Sequence, residues 1–517
     1  MGRGPVIVVL ALCAVAALGA WVWQGRAVHL EGPPVERLPC ASYAPFRGAE
    51  TPFDETFMVS EARIEEDLRA LSALTTCVRT YATTNGLDAV PRVAERLGMQ
   101  VLQGAWIGRE AEANRVELDR ALALAAAHPG AVRALVVGNE VLLRREQPVE
   151  GMVALLTEAK ARSPVPITYA DVWEFWVRAP EMAPLVDFVT VHILPYWEDD
   201  PVGVETAVAH VEEIRAEVAE VFAGKPLLVG ETGWPTAGRQ REGAEPSRLN
   251  QAKYMRALVT LAHEEGWDIN FIEAFDQPWK RALEGTVGGA WGLIEDDRTV
   301  KPVLADTVVE IPAWRSWYAG SVALGLVPLL VAAGTRRRLD GAGWAVVLAG
   351  GLAAGGALAF FGHHAVEASR GLGEAAVNAV AFVLSGAAAL GVVLALAARD
   401  PQPGTVLGWT RRLVLAMAAV AVLGMVFDAR YRDFPASLFL APAVGFALLA
   451  LRQGLRDRLP RLPEDRWLAV VVAAGAVVAA AREGMLNGDA WAWAGVLVLL
   501  SLPLLVLPGR GAGGPGR

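Results

Sequence analysis

Seven apolar runs crowd the chain after residue 316, and an eighth opens it, a pattern that no single soluble domain accommodates. The opening run, residues 6–23, is uncharged and 18 residues long, about the minimum that crosses ~30 Å of hydrocarbon as a helix. Arg3 precedes it and Arg26 follows. A cleaved leader is the competing reading. The small-x-small pattern fails at Leu18, and the run continues through Trp21 and Trp23, which favours an uncleaved anchor. The later runs lie at residues 317–334, 341–361, 375–397, 412–427, 436–451, 467–481 and 490–507.

The loops between these runs alternate in charge. One set holds Arg336, Arg337, Arg338, Arg399, Arg411, Arg412, Arg452, Arg456, Arg458, Arg461, Arg466, Arg510 and Arg517. The other set, residues 362–374, 428–435 and 482–489, holds only Arg370, Arg430, Arg432 and Arg482. The positive-inside rule puts the arginine-rich set in the cytoplasm and residues 28–315 outside it. The expected organisation is an anchor at 1–27, an external domain at 28–315 and a helical multi-span domain at 316–517, eight spans in all. On this reading His363 and His364 fall in an external loop, and Asp428, Arg430, Arg432 and Asp433 are interfacial.

Composition agrees with the division. Residues 318–517 carry 17 Lys+Arg against 11 Asp+Glu, whereas residues 1–317 carry 30 against 45. The acidic first part has the wrong sign for binding nucleic acid. Three cysteines exclude a disulfide-rich scaffold and any four-cysteine zinc site.

Between anchor and spans, short β-rich segments alternate with helical stretches. The strands are expected at 41–44, 78–82, 100–106, 134–138, 167–170, 188–193, 226–230 and 269–274, with helices such as 59–74, 111–127 and 246–265 between them. Eight such units predict an α/β fold, a (β/α)8 TIM barrel. An open doubly wound sheet is the alternative, and no G-x-G-x-x-G follows the first strand to give it a nucleotide site.

A barrel keeps its chemistry at the carboxyl ends of its strands. There the fourth strand runs into Asn139-Glu140, the sixth into His192-Ile193-Leu194-Pro195-Tyr196-Trp197, and the seventh into Glu231-Thr232-Gly233-Trp234-Pro235. The eighth ends in Phe275-Asp276-Gln277-Pro278-Trp279-Lys280. Two glutamates aimed at one mouth and ringed by aromatics suit glycoside hydrolysis, which divides acid and nucleophile roles between two carboxylates. Aromatic faces suit the apolar faces of sugar rings.

The segments Val-Gly-Asn-Glu-Val (137–141), Glu-Thr-Gly-Trp-Pro (231–235) and Phe-Asp-Gln-Pro-Trp-Lys (275–280) resemble glycoside hydrolase family 17, the β-1,3-glucanase and β-glucanosyltransferase family. Its bacterial branch is the most similar, through Ser-Tyr-Ala-Pro-Phe-Arg (42–47), Val-Arg-Thr-Tyr (78–81) and Val-Trp-Glu-Phe-Trp (172–176). The resemblance implies a retaining double displacement with Glu140 as acid/base and Glu231 as nucleophile. Charge on Glu231 is expected to raise the proton affinity of Glu140. Asn139 is expected at the sugar 2-hydroxyl, and Tyr196 or Arg79 at Glu231. Tyr43, Asp171, Trp234, Asp276, Lys280 and Glu284 are candidates for further substrate contacts. Trp106, Trp173, Trp176, Trp197 and Trp279 are either sugar platforms or packing. His192, Leu194 and Gln277 depart from the plant and fungal pattern.

Cys40 and Cys77 start adjacent strands, either as a disulfide or as two buried thiols. No cofactor or metal is required by retaining chemistry. The expected setting is a bacterial inner membrane with the catalytic domain in the periplasm. The expected partners are a β-glucan, the lipid bilayer and a separate membrane glucan synthase. The rival readings are an endo-β-1,3-glucan hydrolase, a non-catalytic glucan-binding export or assembly subunit, and a transporter with an external domain.

Overall fold

The computed structural model describes residues 2–399, 404–427 and 433–507; Asp428, Arg430, Arg432, Arg510 and Arg517 lie outside them. Two compact units emerge. One is Val28–Gly238 with Gly243–Val308, and the other takes the remaining described residues, including the short segment Arg239–Glu242.

The first unit is a closed barrel of eight parallel strands, β1 (Ala41–Ser42), β2 (Cys77–Arg79), β3 (Gln100–Ala105), β4 (Val132–Asn139), β5 (Ile167–Val172), β6 (Val189–His192), β7 (Leu227–Thr232) and β8 (Asp268–Phe271). Each pairs with its sequence neighbour, and Ala41 closes the ring on Phe271. The strands are rich in Val, Leu and Ile because both of their faces are buried, one inside the barrel and one under helices. Helices begin where the sequence caps them. Ser60 accepts from the Arg63 N–H before Glu61–Leu71, and Ser247 accepts from the Asn250 N–H at 2.9 Å before Arg248–Glu265. The open doubly wound alternative is thereby excluded. Cys40 and Cys77 are joined as a disulfide at the amino end of the barrel, with Cα atoms 4.5 Å apart. A short two-stranded sheet, Ala27–His29 with Thr307–Val309, pairs the ends of this unit.

The second unit contains a helix at every apolar run: Arg3–Gln24, Trp314–Gly334, Gly341–Ala368, Leu372–Ala397, Thr405–Phe427, Ala436–Arg452, Pro463–Arg482 and Gly488–Val506. Among the described residues, six of these are long and apolar enough to cross a membrane. Ala436–Arg452 has only 17 residues, and Pro463–Arg482 carries charged residues at both ends. The histidine expectation needs correcting: His363 and His364 lie within helix Gly341–Ala368, not in a loop. Packing extends that helix. His363 sets its ring edge-on to Trp21 and Trp317, and His364 pairs with Asp433.

Candidate active site

Both strands that carry the two glutamates hold one extra residue just before them. Val136 pairs with Thr168 but Asn139 pairs with Ala170; Val191 pairs with Val229 but His192 pairs with Glu231. A bulge of this kind breaks the period of two and re-aims the next side chain. In β4 the break coincides with Gly138, at φ 86°, a conformation open to glycine. Glu140 follows at φ 53°, a left-handed conformation that costs a non-glycine residue roughly 1–2 kcal/mol. Neighbouring groups hold it there. The Glu140 N–H donates to the Ala170 carbonyl at 2.8 Å. Asp171, buried on β5, accepts from the N–H groups of Leu142 at 3.2 Å and Val172 at 2.8 Å, and from the Tyr169 phenol. Asp171 thus supports the turn that bears Glu140.

Two donors hold Glu231. Arg79, buried on β2, donates to its Oε1 at 3.2 Å, to the Gly230 carbonyl at 2.7 Å and to Asn139 Oδ1 at 2.5 Å. Tyr81 donates to the same Oε1 at 2.9 Å. Burial, and then the charge of Glu231, push the Tyr81 phenol well above its ordinary range, so it stays a donor. His192 Nε2 stands 3.7 Å from Oε1. Tyr81 lies just past the end of β2 and was not singled out in the sequence. Its place in the Val-Arg-Thr-Tyr segment, two residues beyond Arg79, is the signal that points to it. Tyr196 is instead buried in a ring cluster with Trp197, Trp234 and Trp291.

Glu140 is the more open of the two carboxylates, its side chain 23% exposed against 6% for Glu231. Its Oε1 meets His192 Nδ1 at 3.1 Å, and its Oε2 lies 3.5 Å from Arg144. The expected raised proton affinity is not found. Burial does push the carboxyl up, but the hydrogen bond and charge of His192, then the charges of Arg144 and Arg79, outweigh it and hold Glu140 below the usual range.

A second charged group lies beside the first. Lys280, its side chain 12% exposed, donates to the buried Glu273 at 2.8 Å. Burial pushes Glu273 up to about 7, against the pull of Lys280. Burial works against the Lys280 ammonium, but Glu273 and Glu284 more than offset it and the lysine stays charged. Burial likewise raises Glu284, which feels the charges of Glu140 and Glu231. Glu273 was not anticipated, because it follows an apolar strand without any break in pattern.

The other expected residues scatter. Asp276 pairs with Lys301 at 2.7 Å and accepts from the Gly292 N–H. Tyr43 is buried and donates to Asp67, and Trp234 is buried with its N–H on the Glu245 carbonyl. Trp176 is also buried, which removes it as a platform. Trp106 is 39% exposed beneath the Arg144 guanidinium, and Trp279 is half-buried against Phe46 and Phe53.

Glu140, His192 and Glu231 bring one nitrogen or oxygen each within 4.8 Å of one another. Three such atoms can hold a cation, but Arg79 and Arg144 already present positive charge to the same carboxylates. That electrostatic environment opposes a divalent ion.

Residues 40–292 match the BtgE/BtgC glycoside hydrolase domain. The chain is 27% identical over 252 residues to a glucan 1,3-beta-glucosidase of Schizosaccharomyces pombe, covering 46% of this chain and 78% of that protein. It is 29% identical over 263 residues to a glucan 1,3-beta-glucosidase of Arthroderma benhamiae, covering 47% and 83%. Among solved structures it is similar to the glycoside hydrolase family 17 beta-1,3-glucanosyltransferase from Rhizomucor miehei, at 25% identity and a TM-score of 0.45, covering 52% of this chain and 97% of that one.

Proposed function

With residues 40–292 matching the BtgE/BtgC glycoside hydrolase domain, we propose that this chain is a membrane-anchored retaining glycosidase or transglycosylase acting on β-1,3-glucan. The observation that carries the reading is the pair Glu140 and Glu231, with oxygens within 4.8 Å of each other at the carboxyl end of a barrel. Retaining enzymes hold their carboxyl groups ~5–5.5 Å apart, whereas inverting ones leave room for a water at ~6.5–9.5 Å.

Glu231 is the nucleophile. Arg79 and Tyr81 donate to one of its oxygens and fix it, leaving the other to attack. As Glu231 bonds to the anomeric carbon, the glycosidic bond breaks and its oxygen takes a proton from Glu140. A covalent glucosyl–enzyme results. In the second step an acceptor hydroxyl attacks the same carbon, the ester to Glu231 breaks, and the acceptor's proton passes to Glu140. Asn139, pinned by Arg79 beside both carboxylates, is placed to meet the sugar 2-hydroxyl. The exposed ring of Trp106 and the half-buried ring of Trp279 are the sugar platforms.

The acceptor is a sugar, so the activity is glucanosyl transfer or branching during glucan synthesis or remodelling. Support comes from the apolar helices, which are long enough to hold the enzyme at a membrane; a separate glucan synthase and exporter there would supply the growing chains. The barrel lies outside the cytoplasm, in a bacterial periplasm; the arginine-rich loops support this through the positive-inside rule, and the Cys40–Cys77 disulfide suits an oxidising compartment. Hydrolysis is the second reading, favoured by the glucosidase names of the curated relatives. Full-length protein in detergent, given defined β-1,3-gluco-oligosaccharides, separates the two. Products longer than the substrate support transfer, and a new β-1,6 linkage identifies branching. Only shorter products mean a hydrolase. No turnover, with wild type and Glu231→Gln alike, would return the barrel to a non-catalytic binding role.

A further inference from the structure

His192 sits between the two carboxylates and is fully buried. Its Nδ1 lies 3.1 Å from Glu140 Oε1 and its Nε2 lies 3.7 Å from Glu231 Oε1, and Nε2 has no hydrogen-bond partner. The strand makes room for it. A Cβ at Gly230, the residue next to Glu231 on β7, would stand 3.3 Å from His192 Cδ2 and 2.3 Å from Thr190 Cγ2. Among the described residues, this buried imidazole finds its one hydrogen-bond partner on a candidate catalytic carboxylate rather than on the surrounding backbone, which ties it to the site and not only to the core.

Resting on the reading of Glu140 as acid/base, we propose that His192 is a positioning residue that fixes Oε1 of Glu140 through Nδ1, so that Oε2 meets the bond to be cleaved. In the first step the glycosidic oxygen takes the Oε2 proton as its bond to the anomeric carbon breaks and Glu231 forms the new one. The charge left on Glu140 is then met at Oε1 by Nδ1–H. In the second step the acceptor's proton returns to Oε2 and that charge disappears. The groups facing His192 set its balance: Glu140 after β4, Asp171 on β5, Glu231 on β7, and the guanidinium groups of Arg79 and Arg144 close to those carboxylates. Removing the imidazole leaves burial unopposed by its nearest donor. The proton is then held more tightly and given up less readily.

The test uses the full-length protein in detergent with two substrates. A β-1,3-gluco-oligosaccharide needs acid assistance, whereas a dinitrophenyl β-laminaribioside has a leaving group that does not. His192→Leu should lose about 10- to 100-fold in kcat/KM on the oligosaccharide, the scale of a misplaced catalytic group, and less than about 3-fold on the aryl substrate. Its alkaline limb should move to higher pH. His192→Gln keeps an N–H donor and should recover part of the loss, and it carries the test if the leucine variant does not fold. Equal losses on both substrates with an unmoved pH limb would make His192 structural and overturn the proposal. Turnover of neither substrate by the wild type would instead remove the glycosidase reading on which it rests.

Discussion

The two ends of the barrel interior are built from the same strands and could hardly differ more. At the amino end, Cys40, Cys77, Leu102, Ala134, Val136, Ala170 and Leu228 form a buried apolar cluster that includes the disulfide. A few residues further along, the strands carry Arg79, Asn139, Asp171, His192 and Glu231, all buried. Burying an unpaired ion costs several kcal/mol, so the charged end stands only because nearly every group there has a partner. The amino end is stabilised by burial and a crosslink. The carboxyl end gives up that source of stability for chemistry, and the bulges in β4 and β7 mark where one regime changes to the other.

This contrast makes changes at the two ends separable. Glu231→Gln should reduce turnover of β-1,3-gluco-oligosaccharides by about 10⁴-fold or more, as loss of a nucleophile does, while the melting temperature moves little because the amide oxygen still accepts from Arg79 and Tyr81. A large stability loss instead would mean that Glu231 is chiefly a partner for Arg79. Next in size is Lys280→Met, which strands Glu273 as a buried carboxyl. Chemical denaturation should report roughly 3–5 kcal/mol lost, and Lys280→Met combined with Glu273→Gln should recover a good part of it. At the amino end, replacing Cys40 and Cys77 with alanine opens a crosslink between positions 37 apart in sequence. The expected cost is about 3–4 kcal/mol with kcat unchanged, so a fall in kcat would break the separation of the two ends.

The smallest effect is in pH. Glu140 has a carboxyl held below its usual range in the folded barrel, so the folded state binds that proton more weakly than the unfolded chain does. Its contribution to stability is present above the unfolded value near ~4.3 and is lost as pH falls through the lower folded value. Between about pH 5 and about pH 3, the melting temperature of wild type should therefore fall further than that of Glu140→Gln. An equal fall in both proteins would place the acid sensitivity elsewhere.

The barrel was legible because alternating short β-rich segments and helices leave few other architectures, and all eight expected strands overlap the observed ones. Their ends were harder to read. β1 is reduced to Ala41–Ser42, and β2 ends at Arg79, so Tyr81 leaves the strand and reaches Glu231 from the bend beyond it. Pattern alone cannot say whether an aromatic at a strand end turns to the mouth or to the helices. Tyr43, Trp176 and Trp234 turned to packing, while Trp106 stayed exposed. The proton affinity of Glu140 was misjudged because the sequence offered one neighbour, Glu231, and the fold added another. The signal for that neighbour was present in His192, visible only as a departure on the sixth strand. Gly138 and Gly230, lone glycines inside buried strands, were the readable sign of the bulges.

A retaining double displacement requires that Glu231 become bonded to the sugar. The most direct measurement treats full-length protein with a dinitrophenyl 2-deoxy-2-fluoro-β-laminaribioside, whose fluorine slows breakdown of a covalent intermediate, and maps the adduct by peptide mass spectrometry. One added fluorinated disaccharide is expected on the peptide that contains Glu231, absent in Glu231→Gln and slowly lost when an acceptor oligosaccharide is supplied. Turnover of natural oligosaccharides with inversion at the anomeric carbon, and no adduct on that peptide, would contradict it.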